Sequence, residues 1–354
     1  MEKLKRYFGV ITGHNKSEVH QDLVPELKDD EVLLKMETCN ICTTDYQQWL
    51  GLRDHQGFPM AGGHEYCGII IAKGNKVIDN FNIGDRVGCA GNYCGFCPEC
   101  RSGRTGDCPN KGYEGKSEDG YFGSKGFANY KIINQKYAIK VSKDIPAAEA
   151  SFIEPIATVI QGIKKVGVKP MDNVVVVGAG TMGLVNAQVA KVFGGRIIIC
   201  DISDKKVARA KEMNIGEVIH SGKVDPVVAV KDLTDGKGAD IVITAVGNSI
   251  AYKQSYEMLK PFRGKMLFFA AGYPKPELDI DPNELHYRKI ELIGTVTADI
   301  SDFQDAGVLL SQKQVCMEYS LEGKAFGLKN IQKAFEAAAT PDSYRVTIDL
   351  QDVE

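Results

Sequence analysis

Four cysteines stand within fifteen residues, in the order Cys94-x2-Cys97-x2-Cys100-x7-Cys108. Thiolates at such short spacing suit a tetrahedral zinc ion, and a site closed by four protein ligands is structural. A redox or iron–sulfur loop is the other reading of the same pattern. A second set of residues is open. Cys42 lies in NICTTD, and His64 and Glu65 follow in AGGHEYCG. One thiolate, one imidazole and one or two carboxylates leave a coordination position vacant, which is what a catalytic zinc needs. Taken singly, Cys42 reads as a small buried hydrophobe, His64 as a loop histidine and Glu65 as a surface charge; their combination points to metal.

A third feature suits a dinucleotide. VVVVGAGTMGLVNAQVAKVFGG carries Gly178, Gly180 and Gly183 as G-x-G-x-x-G, with Thr181 and Met182 inside the turn. The run leaves an apolar strand and opens a helix. Gly178 permits the tight turn, Gly180 lets the backbone approach a pyrophosphate, and Gly183 allows close helix–strand packing. The helix N-terminus offers N–H groups and a positive dipole end to the anion. Asp201 ends RIIICD, eighteen residues beyond Gly183. A carboxylate there accepts hydrogen bonds from ribose hydroxyls and repels a 2′-phosphate, so the reading favours NAD over NADP. Lys205, Lys206 and Arg209 lie just beyond and point the other way, toward a 2′-phosphate.

These groups need two kinds of element to position them. Up to about residue 150, short apolar runs such as EVLLKME, YCGIIIAKG and FANYKII are cut by Gly, Asn and Asp. Strands at that spacing, without helical patterns between them, predict an antiparallel β domain. Glu154-Pro155 precedes IATVIQGIKKVG, a helix with proline at its first position. From Asp172 to about Ile293 strands alternate with amphipathic stretches. The near-continuous Val/Ile runs predict a doubly wound α/β domain with a parallel sheet buried on both faces. The tail, NIQKAFEAAAT followed by YRVTIDL, reads as a helix and a strand that return to the first domain. The expected division is 1–150 with 295–354, and 151–294.

A chain of 354 residues is too long for one ordinary core. Its 43 Lys and Arg against 46 Asp and Glu give a formal charge of -3, and no basic stripe forms. A nucleic-acid partner is therefore not expected. No apolar stretch is long enough to span a bilayer and the N-terminus lacks an apolar leader, so a soluble, cytoplasmic protein is expected. The crowding of thiols fits metal binding in that compartment rather than disulfides.

GHE at His64-Glu65, GD at Gly84-Asp85, the four-cysteine lobe and GAGTMG stand in an order and spacing that resemble the medium-chain zinc-dependent alcohol dehydrogenases, nearest the sorbitol and polyol dehydrogenases. The resemblance runs nearly end to end. It implies a GroES-like catalytic domain beside the Rossmann domain, one catalytic and one structural zinc, and a homodimer or homotetramer. It implies Cys42 and His64 as zinc ligands, Glu65 as a ligand that exchanges with water, and Asp45 as support for His64. Glu154 matches the acidic ligand of the polyol branch, where classical relatives have a cysteine; a helix-capping role is its other reading. Thr44 keeps the family's hydroxyl, but Thr43 replaces a glycine, and Gln47 stands where the family places a proton-relaying histidine. The implied reaction takes a hydride from a secondary alcohol (a polyol, cyclitol or sugar phosphate) to NAD, Thr44 accepting or passing the proton. A reductase of simple ketones or aldehydes is the nearer rival, and a non-catalytic zinc protein the more distant one.

Overall fold

The computed structural model describes residues 4–53, 56–111 and 116–353. The chain forms two compact units, Met1–Ala157 with Ala298–Glu354, and Thr158–Thr297.

In the first unit a mostly antiparallel seven-stranded sheet is joined by a separate two-stranded hairpin, Lys5–Gly13 with Lys16–Leu23. The strand Glu31–Asn40 organises the site. On one side it pairs antiparallel with Glu65–Lys73, Asn40 opposite Glu65; on the other it pairs with Thr347–Asp349, Asn40 opposite Thr347. The tail therefore does return to the first unit, as the sequence predicts. This register brings three chain segments to one end of the sheet: Cys42, two residues beyond Asn40; Glu65, which opens its strand; and Arg345, two residues before Thr347.

The sequence reading missed one element here. Residues Thr43–Leu50, TTDYQQWL, form a helix directly after Cys42. Its two threonines and lack of a long apolar stripe hid it, and tertiary packing supplies what propensity does not. Trp49 is buried and stacks on Phe335 at 6.0 Å between ring centroids, and Phe127 meets Phe335 edge-on at 5.8 Å. The aromatic cluster clamps this helix to the C-terminal helix Ile331–Ala338. The helix Ile153–Val166 starts two residues earlier than the sequence implies, with Pro155 inside its first turn. Proline is tolerated there because first-turn N–H groups have no intrahelical acceptor. Ser151 fastens the helix entrance to the sheet, its hydroxyl 2.8 Å from Thr38 Oγ1.

The second unit is a six-stranded parallel sheet. In space its strands run Glu217–His220, Arg196–Asp201, Asn173–Val177, Ile241–Thr244, Lys265–Phe268 and Glu291–Gly294. Numbered along the chain, that is the 3-2-1-4-5-6 order of a dinucleotide-binding sheet. Val174, Val175, Val176, Ile198, Ile199, Val242 and Ile243 are fully buried, which is why these strands read as unbroken apolar runs.

At the amino end of this sheet Asp240 accepts from Lys260 Nζ at 2.6 Å and from the Asn173 N–H at 2.8 Å. Burial raises its pKa, but these hydrogen bonds and the Lys260 charge outweigh it, and the net shift is downward. A depressed carboxylate pKa contributes stability above the unfolded value of about 3.9 that is lost as pH falls through the folded one. Asp240→Asn is expected to destabilise the protein by about 1–2 kcal/mol at pH 7. That deficit should shrink as pH falls below about 3.9 and be lost only below the depressed folded-state value, and urea midpoints of both proteins at pH 7 and along an acid series check it.

Candidate active site

At the converging strand ends, Cys42 Sγ, a ring nitrogen of His64 and a carboxylate oxygen of Glu65 all lie within 4.8 Å of one another. Cys42 precedes the first turn of the Thr43–Leu50 helix, and Asp45 in that turn accepts from the Cys42 N–H at 3.0 Å. The other Asp45 oxygen accepts from the Gly63 N–H at 3.4 Å. Fully buried, Asp45 thus ties the two ligand-bearing segments together, and its Oδ2 lies 3.7 Å from His64 Nδ1. Burial raises the Asp45 carboxyl pKa, with the His64 charge opposing. Burial disfavours imidazolium at His64, but the Asp45 carboxylate and the Cys42 sulfur hold its pKa well above the ordinary value. The His64 ring nevertheless keeps 39% of its surface exposed, so the cluster is open on one side.

One residue of this site escaped the sequence reading. Arg345 is buried and donates to both Glu65 oxygens, at 2.9 Å from Nε and 2.7 Å from Nη2. It reaches Thr43 Oγ1 at 3.3 Å and Cys42 Sγ at 3.5 Å as well. Burial works against its charge, but the Glu65 carboxylate and the Cys42 sulfur more than restore it. A signal was present: an arginine inside a strand-like YRVTIDL needs a buried acidic partner.

Glu154, in the first turn of Ile153–Val166, stands outside the three-residue cluster but within electrostatic reach of His64, Glu65 and Arg345. Burial pushes its carboxyl up to about 7; His64 opposes this and Glu65 adds to it. Among the described residues the Glu154 carboxylate has no hydrogen-bond partner, whereas both Glu65 oxygens accept from Arg345. Thr44 and Gln47 lie half-buried on the same short helix.

The four-cysteine segment closes on itself. The sulfurs of Cys94, Cys97, Cys100 and Cys108 all lie within 4.8 Å of one another, Cys94 to Cys100 at 4.0 Å and Cys97 to Cys108 at 3.9 Å. A tetrahedron of thiolates about 2.3 Å from zinc has edges of about 3.8 Å, so these donors fit the ion with little adjustment. Backbone N–H groups of Phe96 and Cys97 point at Cys94 Sγ and pull its pKa down to about 6.

In the second unit the Gly-rich turn joins Asn173–Val177 to the helix Thr181–Val192. Gly178 has φ of +103°, and a Cβ on Gly183 would lie 1.7 Å from the Gly178 carbonyl oxygen, so neither position takes a side chain. At Gly180 a Cβ would meet only Lys206 Nζ, at 4.0 Å. This is the open cradle a pyrophosphate requires, with Lys206 beside it, and no side chain caps the helix that follows. Thr181 is buried and Met182 partly so. Asp201 Oδ2 accepts from the Ala179 N–H at 2.6 Å and Oδ1 from the Ser203 N–H at 2.8 Å. The carboxylate therefore braces the turn, and each oxygen keeps a further lone pair for a ribose hydroxyl. No described helix is long and apolar enough to cross a membrane.

Comparison with known proteins agrees with this architecture. The alcohol dehydrogenase GroES-like domain family matches residues 28–143, and the zinc-binding dehydrogenase family matches residues 181–312. A sorbitol dehydrogenase of Halalkalibacterium halodurans is 30% identical, the match covering 95% of this chain and 96% of that protein. Benzyl alcohol dehydrogenase of Acinetobacter calcoaceticus superposes with a TM-score of 0.86 at 25% identity, over 98% of this chain and 99% of the other. A Sinorhizobium meliloti 1021 structure with NADP bound shares the fold, with a TM-score of 0.86 and 24% identity over 98% of this chain and all of the other. The matches to both halves and the full-length likeness leave one assignment: the chain is an oxidoreductase of the medium-chain zinc-dependent alcohol dehydrogenase family, on its sorbitol- and polyol-dehydrogenase-like side.

Proposed function

We propose that this enzyme oxidises a secondary alcohol of polyol, cyclitol or sugar-phosphate type to the ketone, with NAD as hydride acceptor. The observation that carries the reading is the open Cys42–His64–Glu65 cluster, with the Glu154 carboxylate within electrostatic reach of His64 and Glu65. Cys42 and His64 hold the catalytic zinc in this proposal. Glu154 is the acidic ligand at rest, because Arg345 occupies both oxygens of Glu65, which serves as the exchanging ligand. Cys94, Cys97, Cys100 and Cys108 hold a second, structural zinc. Bound zinc supplies Lewis acidity at an alcohol oxygen, and the dinucleotide supplies the hydride acceptor.

The chain's own groups do the rest. Asp45 fixes the His64 ring and the Cys42 backbone, so the donors are set before substrate arrives. Thr44 is the hydroxyl that takes the substrate proton and passes it on. Gln47 cannot titrate, so the proton leaves without the family's histidine. Gly178, Gly180, Thr181, Met182 and Gly183 receive the pyrophosphate with Lys206 at its side, and Asp201 bonds the adenosine ribose.

NAD is favoured because Asp201 is an anion locked beside the turn by two backbone N–H groups. The S. meliloti protein of the same fold holds NADP, the cofactor that an anion at Asp201 disfavours here. Initial rates at 340 nm with NAD and NADP, across polyols, cyclitols, sugar phosphates and simple secondary alcohols, test the reading. The expected pattern is turnover of one polyol-like group, with NAD preferred. Asp201→Ala should shrink that preference by at least about tenfold, through lost ribose bonds and lost repulsion of the 2′-phosphate. NADP preferred by the unaltered enzyme would overturn the cofactor assignment, and turnover of simple alcohols alone would overturn the substrate class.

The strand Glu291–Gly294 ends its sheet and pairs only with Lys265–Phe268 among the described strands; nearby Leu292 and Val296 are exposed. An unpaired parallel-sheet edge invites a second copy, and a homodimer or homotetramer built there completes the proposal. The enzyme is placed in the cytoplasm, with no nucleic-acid or membrane partner.

A further inference from the structure

We infer that the second unit carries an additional binding site, for a compact polyanion bearing a di- or triphosphate group, at the amino end of its parallel sheet. A cavity of about 470 Å³ opens there, large enough for a small metabolite. Five cations line it, Lys169, Lys260, Arg263, Lys265 and Lys289, against three carboxylates, Asp172, Asp240 and Glu291. Two of the cations have partners within the wall. Lys260 binds Asp240 at 2.6 Å, and Lys265 lies 3.8 Å from Glu291 while donating to the Val166 carbonyl at 2.8 Å. Lys169, Arg263 and Lys289 form no ion pair among the described residues, and all three are exposed. Set against Asp172, the one remaining carboxylate, they leave the cavity with two uncompensated positive charges.

The backbone adds a separate observation. Arg263 and Lys289 sit in the tight turns that lead into Lys265–Phe268 and Glu291–Gly294, with φ of +58° and +55°. Glycine or asparagine is the ordinary occupant of left-handed turns, and a long side chain there is uncommon. The Arg263 N–H donates to the Arg288 carbonyl at 2.8 Å, which holds the two turns side by side and sets both cations at one rim of the cavity. Unpaired ammonium and guanidinium groups gathered round a concave surface raise the local potential and match several phosphate oxygens at once. The Gly-rich turn lies at the other end of the strand Asn173–Val177, five residues or about 17 Å away, so the two anion sites are distinct.

The test uses inorganic tripolyphosphate, titrated calorimetrically at low ionic strength into three full-length, zinc-loaded proteins. The first is unaltered. The second carries Gly180→Val, a larger side chain placed in the cradle of the Gly-rich turn at a position where a Cβ meets no backbone. The third carries Lys169→Gln, Arg263→Asn and Lys289→Asn, with asparagine chosen because it tolerates the left-handed turns. Gly180→Val is expected to keep one binding event of near-unaltered affinity, and the triple variant to weaken that event by at least about tenfold. Lys289→Asn alone, measured beside it, should weaken binding by a smaller factor and guards against a folding defect in the triple variant. Binding lost in Gly180→Val, or unchanged in the triple variant, would overturn the site.

Discussion

Cys42→Ser is expected to lower kcat/KM by at least about 10³-fold, roughly 4 kcal/mol of lost transition-state stabilisation, while the fold survives. In the proposed site Cys42 is the one sulfur donor, and serine is too poor a ligand to replace it at neutral pH. Arg345, whose Nη2 lies 3.5 Å from Cys42 Sγ, would lose one acceptor but keep both Glu65 oxygens through Nε and Nη2, so the local structure has reason to persist. Zinc content should fall from two ions per chain to one, the survivor held by the four-cysteine lobe. His64→Ala should behave alike. Cys97→Ser should instead lose the other ion and thermal stability. Zinc counts, melting curves and turnover on the three variants separate these outcomes. Near-native turnover from Cys42→Ser with one zinc per chain would remove the metal from the chemistry.

Arg345→Leu is expected to destabilise the protein by about 3–5 kcal/mol. Leucine removes every bond the guanidinium makes, and the penalty comes chiefly from Glu65, left fully buried without its paired guanidinium. For units of this size that corresponds to a fall in Tm on the order of 10 °C. Adding Glu65→Gln should recover part of the loss, because the uncompensated charge is gone, and that non-additivity identifies the mechanism. Arg345→Lys should fall between, since a lysine offers one point charge where the guanidinium makes two parallel bonds. A simple sum of the two single effects would mean the pair is no more than a surface-like contact.

Much of the second unit was legible because its strands are buried on both faces. Runs such as NVVVV and RIIIC have no other ordinary explanation, and the glycines mark the turn where side chains cannot fit. The four cysteines were legible for a similar reason: all four lie on one short segment, so spacing alone brings the sulfurs together. The open cluster is harder. Cys42 and His64 are neighbours only because the strand Glu31–Asn40 pairs with Glu65–Lys73, a long-range register that local pattern does not encode. The Thr43–Leu50 helix stayed hidden since its stability comes from Trp49 against Phe335, nearly three hundred residues on. Arg345 was missed because its role depends on the tail strand pairing beside Asn40.

The most direct test of the central claim is a metal-depletion experiment on the unaltered enzyme. NADH formation at 340 nm would be followed with the best polyol-type substrate before chelation, after removal of the more labile zinc, and after zinc is returned. The account predicts that turnover falls to background when zinc drops to one ion per chain, with cofactor still bound, and returns in proportion to zinc restored. Full turnover from enzyme stripped of that ion would contradict it.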